Sequence, residues 1–209
     1  MAVEITWLGR TSFRLRGREG TVITDPVPAS SGFKIGKASA GVATLSRVDD
    51  PEFGDPSLVP GARVLDAPGE YEVGGVLVTG VPLPLPEGGR NMAYLCEIES
   101  LRICHLGVMP PGDRPTLPDE LDDIDVLLLP VGNGPGLTAR QAVDLMTKVD
   151  PGIVIPMLYK AGQETMELDT LDPFLSETGS KHEPQTRCSV TKASLPDAMT
   201  VTVLQPRSL

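Results

Sequence analysis

Twenty-one prolines and 22 glycines punctuate a chain of 209 residues, and that punctuation limits it to many short elements. Proline lacks the amide hydrogen a helix interior or inner strand needs, and glycine loses the most backbone freedom on ordering, so long helices are excluded. The runs between these breakers carry the β-branched and apolar side chains of strands at residues 3–8, 20–24, 76–81, 93–98 and 101–105. Their succession predicts a largely antiparallel N-terminal half. Residues 125–130 and 152–156 are almost wholly apolar, which suits strands covered on both faces. Between them Thr138 is a good N-cap, and Ala139, Ala142, Val143, Met146 and Val149 recur at helical spacing until Asp150-Pro151 stops the segment. Shorter helices are predicted at 118–121 and within 169–176, and two hairpin-like strands at 186–193 and 199–204 close the chain. The expected class is α+β, two mainly antiparallel or mixed sheets flanked by helices. The length suits one well-buried core without a repeat or composition break, so residues 1–209 are read as a single domain.

Charge and composition narrow the function classes. Hydrophobic residues at 40% and charged residues at 22% are ordinary globular values and exclude disorder. A formal charge of -10 repels a phosphate backbone over most of the surface, so nucleic acid is excluded as a partner. No apolar run approaches a membrane span and no basic, then apolar, leader opens the chain, which predicts no membrane partner and a cytoplasmic location. Cys96, Cys104 and Cys188 are odd in number and lack C-x-x-C spacing, so they are expected in the core rather than in disulfides or a thiolate zinc site.

Four motifs then share one resemblance. Ile5-Thr6-Trp7-Leu8-Gly9-Arg10-Thr11-Ser12-Phe13, followed by Ile23-Thr24-Asp25-Pro26, resembles the opening of the metallo-β-lactamase superfamily, in particular its small UlaG-like branch of metal-dependent hydrolases, which reads G-H-x-S-F and then I-x-D-P. Leu106-Gly107 lies at the family's G-D turn. Asp125-Val126-Leu127-Leu128-Leu129-Pro130-Val131-Gly132 looks like its D-x-L-L-L-P-V-G strand, and residues 151–159 look like P-x-I-V-I-P-M-H-Y. The resemblance implies a four-layer αβ/βα sandwich. It also implies hydrolysis by two metal ions that turn bound water into a nucleophile, which demands histidine and carboxylate ligands. Those ligands are largely absent. The motif T-H-x-H-x-D-H aligns on Thr44-Leu45-Ser46-Arg47-Val48-Asp49-Asp50, so of its ligands only Asp49 remains; the bridging aspartate aligns with Val108, the closing histidine with Leu158, and the early histidine with Arg10. The whole chain has two histidines, His105 and His182, too few for any alternative imidazole-rich site. No metal ligand set is assigned, and zinc or manganese is not expected as a cofactor.

The candidate binding pocket is Arg10, Arg47, Asp49 and Leu158, and the candidate catalytic groups are Asp25, Asp49, Asp50 and His105. Carboxylates without a counter-charge are costly when buried, so Arg10 or Arg47 is expected to pair with Asp49 where a cation would sit. Asp25, Asp49 and Asp50 could instead offer oxygen to a hard cation, but two arginines nearby oppose one. Glu70 and Glu72, two apart in a strand, face one side; Ser12 has no base; and the 132–136 glycine loop before Thr138 lacks a phosphate-cradle lysine. Two functions follow. One is a binding or assembly module that no longer hydrolyses, working as a homo-oligomer or with an active paralogue, with Val81, Leu83 and Leu85 as interface candidates and an unidentified small-molecule ligand. The other is a hydrolase of esters, lactones or phosphodiesters built on a non-standard site.

Overall fold

The computed structural model describes residues 1–36, 38–85, 88–109, 116–179 and 183–209. Its N-terminal strands β1 (Val3–Gly9), β2 (Ser12–Arg16) and β3 (Thr21–Thr24) form an antiparallel meander, and β4 (Val42–Thr44) and β5 (Arg63–Leu65) extend it in parallel. The half is largely antiparallel, as expected, with these parallel pairs as the exception. The long connections before β4 and β5 carry the chain back to the same end each time, as a parallel neighbour requires. A second sheet starts with β6 (Gly69–Val73), β7 (Val76–Pro84), β8 (Arg90–Ile98) and β9 (Leu101–His105), all antiparallel, and continues through β10 (Val126–Pro130) and β11 (Ile153–Met157), both parallel.

The closing strands β12 (Cys188–Val190) and β13 (Thr200–Val201) are shorter than expected and do not form a hairpin. β12 pairs with β1 and β13 with β11, so each completes a different sheet. The strand orders are therefore β12-β1-β2-β3-β4-β5 and β13-β11-β10-β9-β8-β7-β6. Pro156 fits inside β11 for a related reason. Val154 turns its carbonyl toward Thr202, and Pro156, two residues on, turns its missing donor to that side beyond the last β13 partner, Val201.

Between the sheets Trp7, Phe13, Leu15, Tyr94, Ile98, Leu101 and Ile103 are fully buried. The Tyr94 hydroxyl spans the sandwich, 3.0 Å from the Leu45 carbonyl and 2.8 Å from that of Leu65. Burial pushes its pKa well above the usual tyrosine value, so it stays a donor. Helix α1 (Ala139–Val149) begins with a capping box between Thr138 and Gln141 and ends at Asp150 in the left-handed conformation. It packs against β10 and against α2 (Asp172–Thr178). The predicted helix at 118–121 is a single turn, closed by Leu121 N–H donating to the Pro118 carbonyl. Over the six-stranded sheet the outer layer is loop with two single 3-10 turns, Ala29–Ser31 and Pro56–Leu58, and its Val27, Phe33, Ile35, Ala38 and Val59 cover Leu8, Ile23 and Ala43. Cys96, Cys104 and Cys188 are free and buried, as expected. Val81 and Leu83 are buried and Leu85 packs against the core, so none of the three offers an open interface.

Candidate functional site

The candidate residues meet where strands from both sheets end. Leu158, after β11, donates its N–H to the Arg10 carbonyl at 3.1 Å in the turn after β1. Ser46, after β4, donates N–H and hydroxyl to Asp25, after β3, both at 2.6 Å. Gly107, after β9, lies so close that a β-carbon there would stand 2.5 Å from Cβ of Ser46, which only glycine permits at its φ of 63°. Gly132, after β10, approaches Leu158 as tightly: its β-carbon would stand 2.0 Å from the Leu158 carbonyl oxygen. Arg10, Asp25 and Leu158 themselves hold φ of 51°, 38° and 54°, a costly region for side-chain-bearing residues. Three such residues converge at one end of the sandwich.

Arg10 is 2% exposed and pairs with Glu164, not with Asp49. Its Nη2 donates to Glu164 Oε1 at 2.6 Å and its Nε to Oε2 at 3.2 Å, a bidentate fork. Nη1 donates to the Glu52 carbonyl at 2.6 Å, and Met166 N–H adds a donor to Glu164 Oε1 at 2.8 Å. One buried ion pair thus joins the β1–β2 turn, the 47–53 segment and the loop after β11. Phe53 completes the packing, its ring centroid 5.9 Å from the Arg10 guanidinium carbon and 5.8 Å from that of Arg47.

Arg47 is the arginine in contact with Asp49: its Nε donates to Oδ1 at 3.2 Å. The contact is partly exposed, with side-chain exposures of 18% and 41%, so it resembles a screened surface pair more than a buried replacement for a cation. The Arg47 hydrogen bond, then the Arg90 backbone N–H, hold the Asp49 carboxyl below the usual range. Asp50 stands 3.9 Å from Arg47 Nη2 and accepts from Glu52 N–H.

Asp25 and His105 form a separate, sealed pair between the sheets. His105 Nε2 lies 2.7 Å from the Thr11 carbonyl, an acceptor only, so Nε2 carries the hydrogen and Nδ1 is bare, with no partner among the described residues. The 3.8 Å from Nε2 to Asp25 Oδ2 is electrostatic contact rather than a hydrogen bond. Burial, the largest influence on each, raises the Asp25 pKa and lowers that of His105. Their mutual attraction and the Ser46 donors oppose this. Both side chains are fully buried, which leaves no path for a substrate to reach them.

The other sequence candidates do not join this site. Glu70 and Glu72 stand exposed on β6, the edge of its sheet, and Ser12 Oγ is buried without a partner among the described residues. The Thr138–Gln141 box occupies the start of α1, and the hollow beside the 132–136 loop, about 450 Å³, is lined by Glu167 and Asp169 as well as Lys160, an acidic balance that disfavours anions. His182 lies outside the described residues. Among those described, no three His, Cys, Asp or Glu side chains converge to hold a metal ion.

Glu164, Phe53, Ser46 and Asn91 are the residues the sequence did not single out. Asn91 is buried and bridges two strands' ends, donating to the Leu106 and Val108 carbonyls and accepting from Val108 N–H. Glu164 sits in an unpatterned polar stretch and is brought to Arg10 from 154 residues away, so no local signal marks it. For Phe53 a signal exists: a lone aromatic in a polar loop between prolines.

Comparison with known proteins identifies the fold. A family model described as a beta-lactamase superfamily domain matches residues 4–158. A UPF0173 protein of Pyrococcus furiosus is 25% identical over 178 residues, covering 75% of this chain and 83% of that protein, and one of Pyrococcus abyssi is 24% identical over the same shares. A solved structure from Thermotoga maritima, provisionally described as a Zn-dependent hydrolase of the metallo-beta-lactamase superfamily, superposes with a TM-score of 0.81 at 30% identity, covering 97% of this chain and 98% of its own. Igni18 of Ignicoccus hospitalis, described as a novel metallo hydrolase, shares the fold at a TM-score of 0.66 and 15% identity, covering 99% and 96%.

Proposed function

This chain belongs to the metallo-β-lactamase superfamily, and from that membership we propose that it is a member without the dinuclear metal site, acting as a binding or assembly module rather than a metallohydrolase. One observation carries the reading. At the strand ends where the family's donors belong, Leu45, Val108 and Leu158 are buried as core residues and Arg47 presents a cation. None of these side chains offers a lone pair to a divalent ion. The remaining carboxylates do not fit a metal either: both oxygens of Asp25 are held by Ser46, and Asp49 is engaged by Arg47 and the Arg90 N–H. Zinc or manganese in this family would generate a hydroxide nucleophile, and among the described residues no His, Cys, Asp or Glu cluster is placed to hold either.

The two buried candidates argue against a non-standard hydrolase built on them. An acid or base must come within hydrogen-bond reach of substrate, and Asp25 and His105 are sealed between the sheets. Elemental analysis of protein expressed in zinc-, iron- and manganese-supplemented medium and purified without chelator tests the proposal. The expected content is far below one metal per chain, unchanged after reloading. Near-stoichiometric metal, with ester, lactone or phosphodiester turnover that chelation abolishes, would overturn it.

A further inference from the structure

We infer that Asn133 is a site of spontaneous covalent modification, in which the loop leading into α1 converts from amide to acid through a cyclic imide. The chain has two asparagines, and the fold treats them in opposite ways. Asn91 is buried, its side-chain oxygen and nitrogen are tied to Leu106 and Val108, and the next residue, Met92, gives its N–H to the Ser46 carbonyl. Asn133 is half-buried, and its side chain makes no hydrogen bond among the described residues. It precedes Gly134, which is exposed, has nothing within 4 Å of where a β-carbon would stand, and whose N–H donates to no acceptor among the described residues.

Those are the conditions for attack of a backbone nitrogen on a neighbouring side-chain amide. The nitrogen must be free to lose its proton, the side chain free to rotate, and the following residue small enough to let the peptide swing. The Gly134 nitrogen then bonds to Cγ of Asn133, the Cγ–Nδ2 bond breaks, and the displaced proton leaves with Nδ2 as ammonia. Water opens the resulting five-membered imide at either carbonyl, giving aspartate or, when the backbone carbonyl is attacked, isoaspartate. Oxidation states do not change. Asn133 and Gly134 both hold left-handed backbone, φ 60° and 58°, and the turn is braced by Asn133 N–H to the Leu137 carbonyl at 3.0 Å and Gly136 N–H to the Asn133 carbonyl at 2.9 Å. These two bonds restrain the Asn133–Gly134 peptide, so the folded chain converts more slowly than an unfolded one, but without the block that Asn91 faces.

The product changes this rim of the molecule. A new carboxylate joins Glu167 and Asp169 around the hollow beside Lys160. Isoaspartate also inserts a methylene into the main chain, which breaks the turn that delivers Thr138 to the start of α1.

Peptide mass spectrometry of the native full chain, incubated at mildly alkaline pH and 37 °C over weeks, reads both sites at once. The expected result is progressive amide-to-acid conversion at Asn133, isoaspartate exceeding aspartate and accepting methyl groups from an isoaspartyl methyltransferase, with Asn91 unchanged. The Asn133→Gln variant, which cannot form a five-membered imide readily, should release no ammonia from this segment, and urea-unfolded wild type should convert several-fold faster than native. Full retention of the Asn133 amide in native protein while the unfolded chain converts, or equal conversion at Asn91, would overturn the inference.

Discussion

Removing one partner of the Arg10–Glu164 fork tests whether the site is held by charge. In Glu164→Gln the buried guanidinium keeps the Glu52 carbonyl but loses its counter-ion, and the new amide can turn only one acceptor toward it. With side-chain exposures of 3% and 0%, neither group can recover hydration in place. Breaking a buried pair from one side costs about 3–5 kcal/mol, and the surviving Glu52 contact places this variant near the lower bound. For a chain of this size about 3 kcal/mol lowers the midpoint of thermal unfolding by roughly 6–12 °C. Circular dichroism melts and urea titrations of Glu164→Gln, Arg10→Met and the double variant Arg10→Met/Glu164→Leu form the measurement. Each single change should destabilise, and the double should recover most of the loss, because two apolar side chains leave no buried charge unpaired. The effect should barely change with salt, since ions do not reach the pair. Single variants that are nearly neutral, or a double variant whose loss is the sum of the two, would mean that charge pairing does not hold the site.

Further outcomes follow from the same geometry. Phe53→Ala, which empties the space between Arg10 and Arg47, should cost about 3–5 kcal/mol in urea titration, whereas Asp49→Asn, which removes only an exposed contact, should leave the midpoint within error. Burial holds His105 neutral below its ordinary value of 6.5, so as pH falls through 6.5 the unfolded chain binds a proton that the folded chain refuses. Stability should then fall, by at most about 1.4 kcal/mol per pH unit from this group, until the folded pKa is reached, and comparing wild type with His105→Gln at pH 7.5 and 5.5 isolates that slope. The Asp25 carboxyl, raised by burial, works in the opposite sense: its cost develops as pH rises from 3.8 through its folded value. Thr138→Ala should lose about 1 kcal/mol with the capping box of α1, read as a lower thermal midpoint without loss of fold.

Much of the frame was legible along the chain. Apolar runs gave β10 and β11, Thr138 and Asp150-Pro151 gave both ends of α1, and the four motifs gave the family. The strands β2, β4 and β5 were not read, because β4 and β5 have three residues, too few to show a period, and in β2 Arg14 and Arg16 interrupt the apolar run. The closing strands were read as partners of each other, because a hairpin is the default for neighbours and nothing local sends β12 and β13 to different sheets.

Which atoms the chain can offer is written in its residues: it supplies two histidines, and aliphatic or guanidinium groups at the positions that align with the family's metal-binding motif, and no folding can change that chemistry. Which charges meet depends on the fold. Asp49 was the expected partner of Arg10 or Arg47, but a guanidinium sealed from water must find a full counter-charge within hydrogen-bond reach, and the fold delivers Glu164 to Arg10 from 154 residues away. Likewise Asp25 and His105, 80 residues apart, become one sealed pair because the two sheets close over them. Such pairings are set by distances in space, and the order of residues along the chain does not encode them locally.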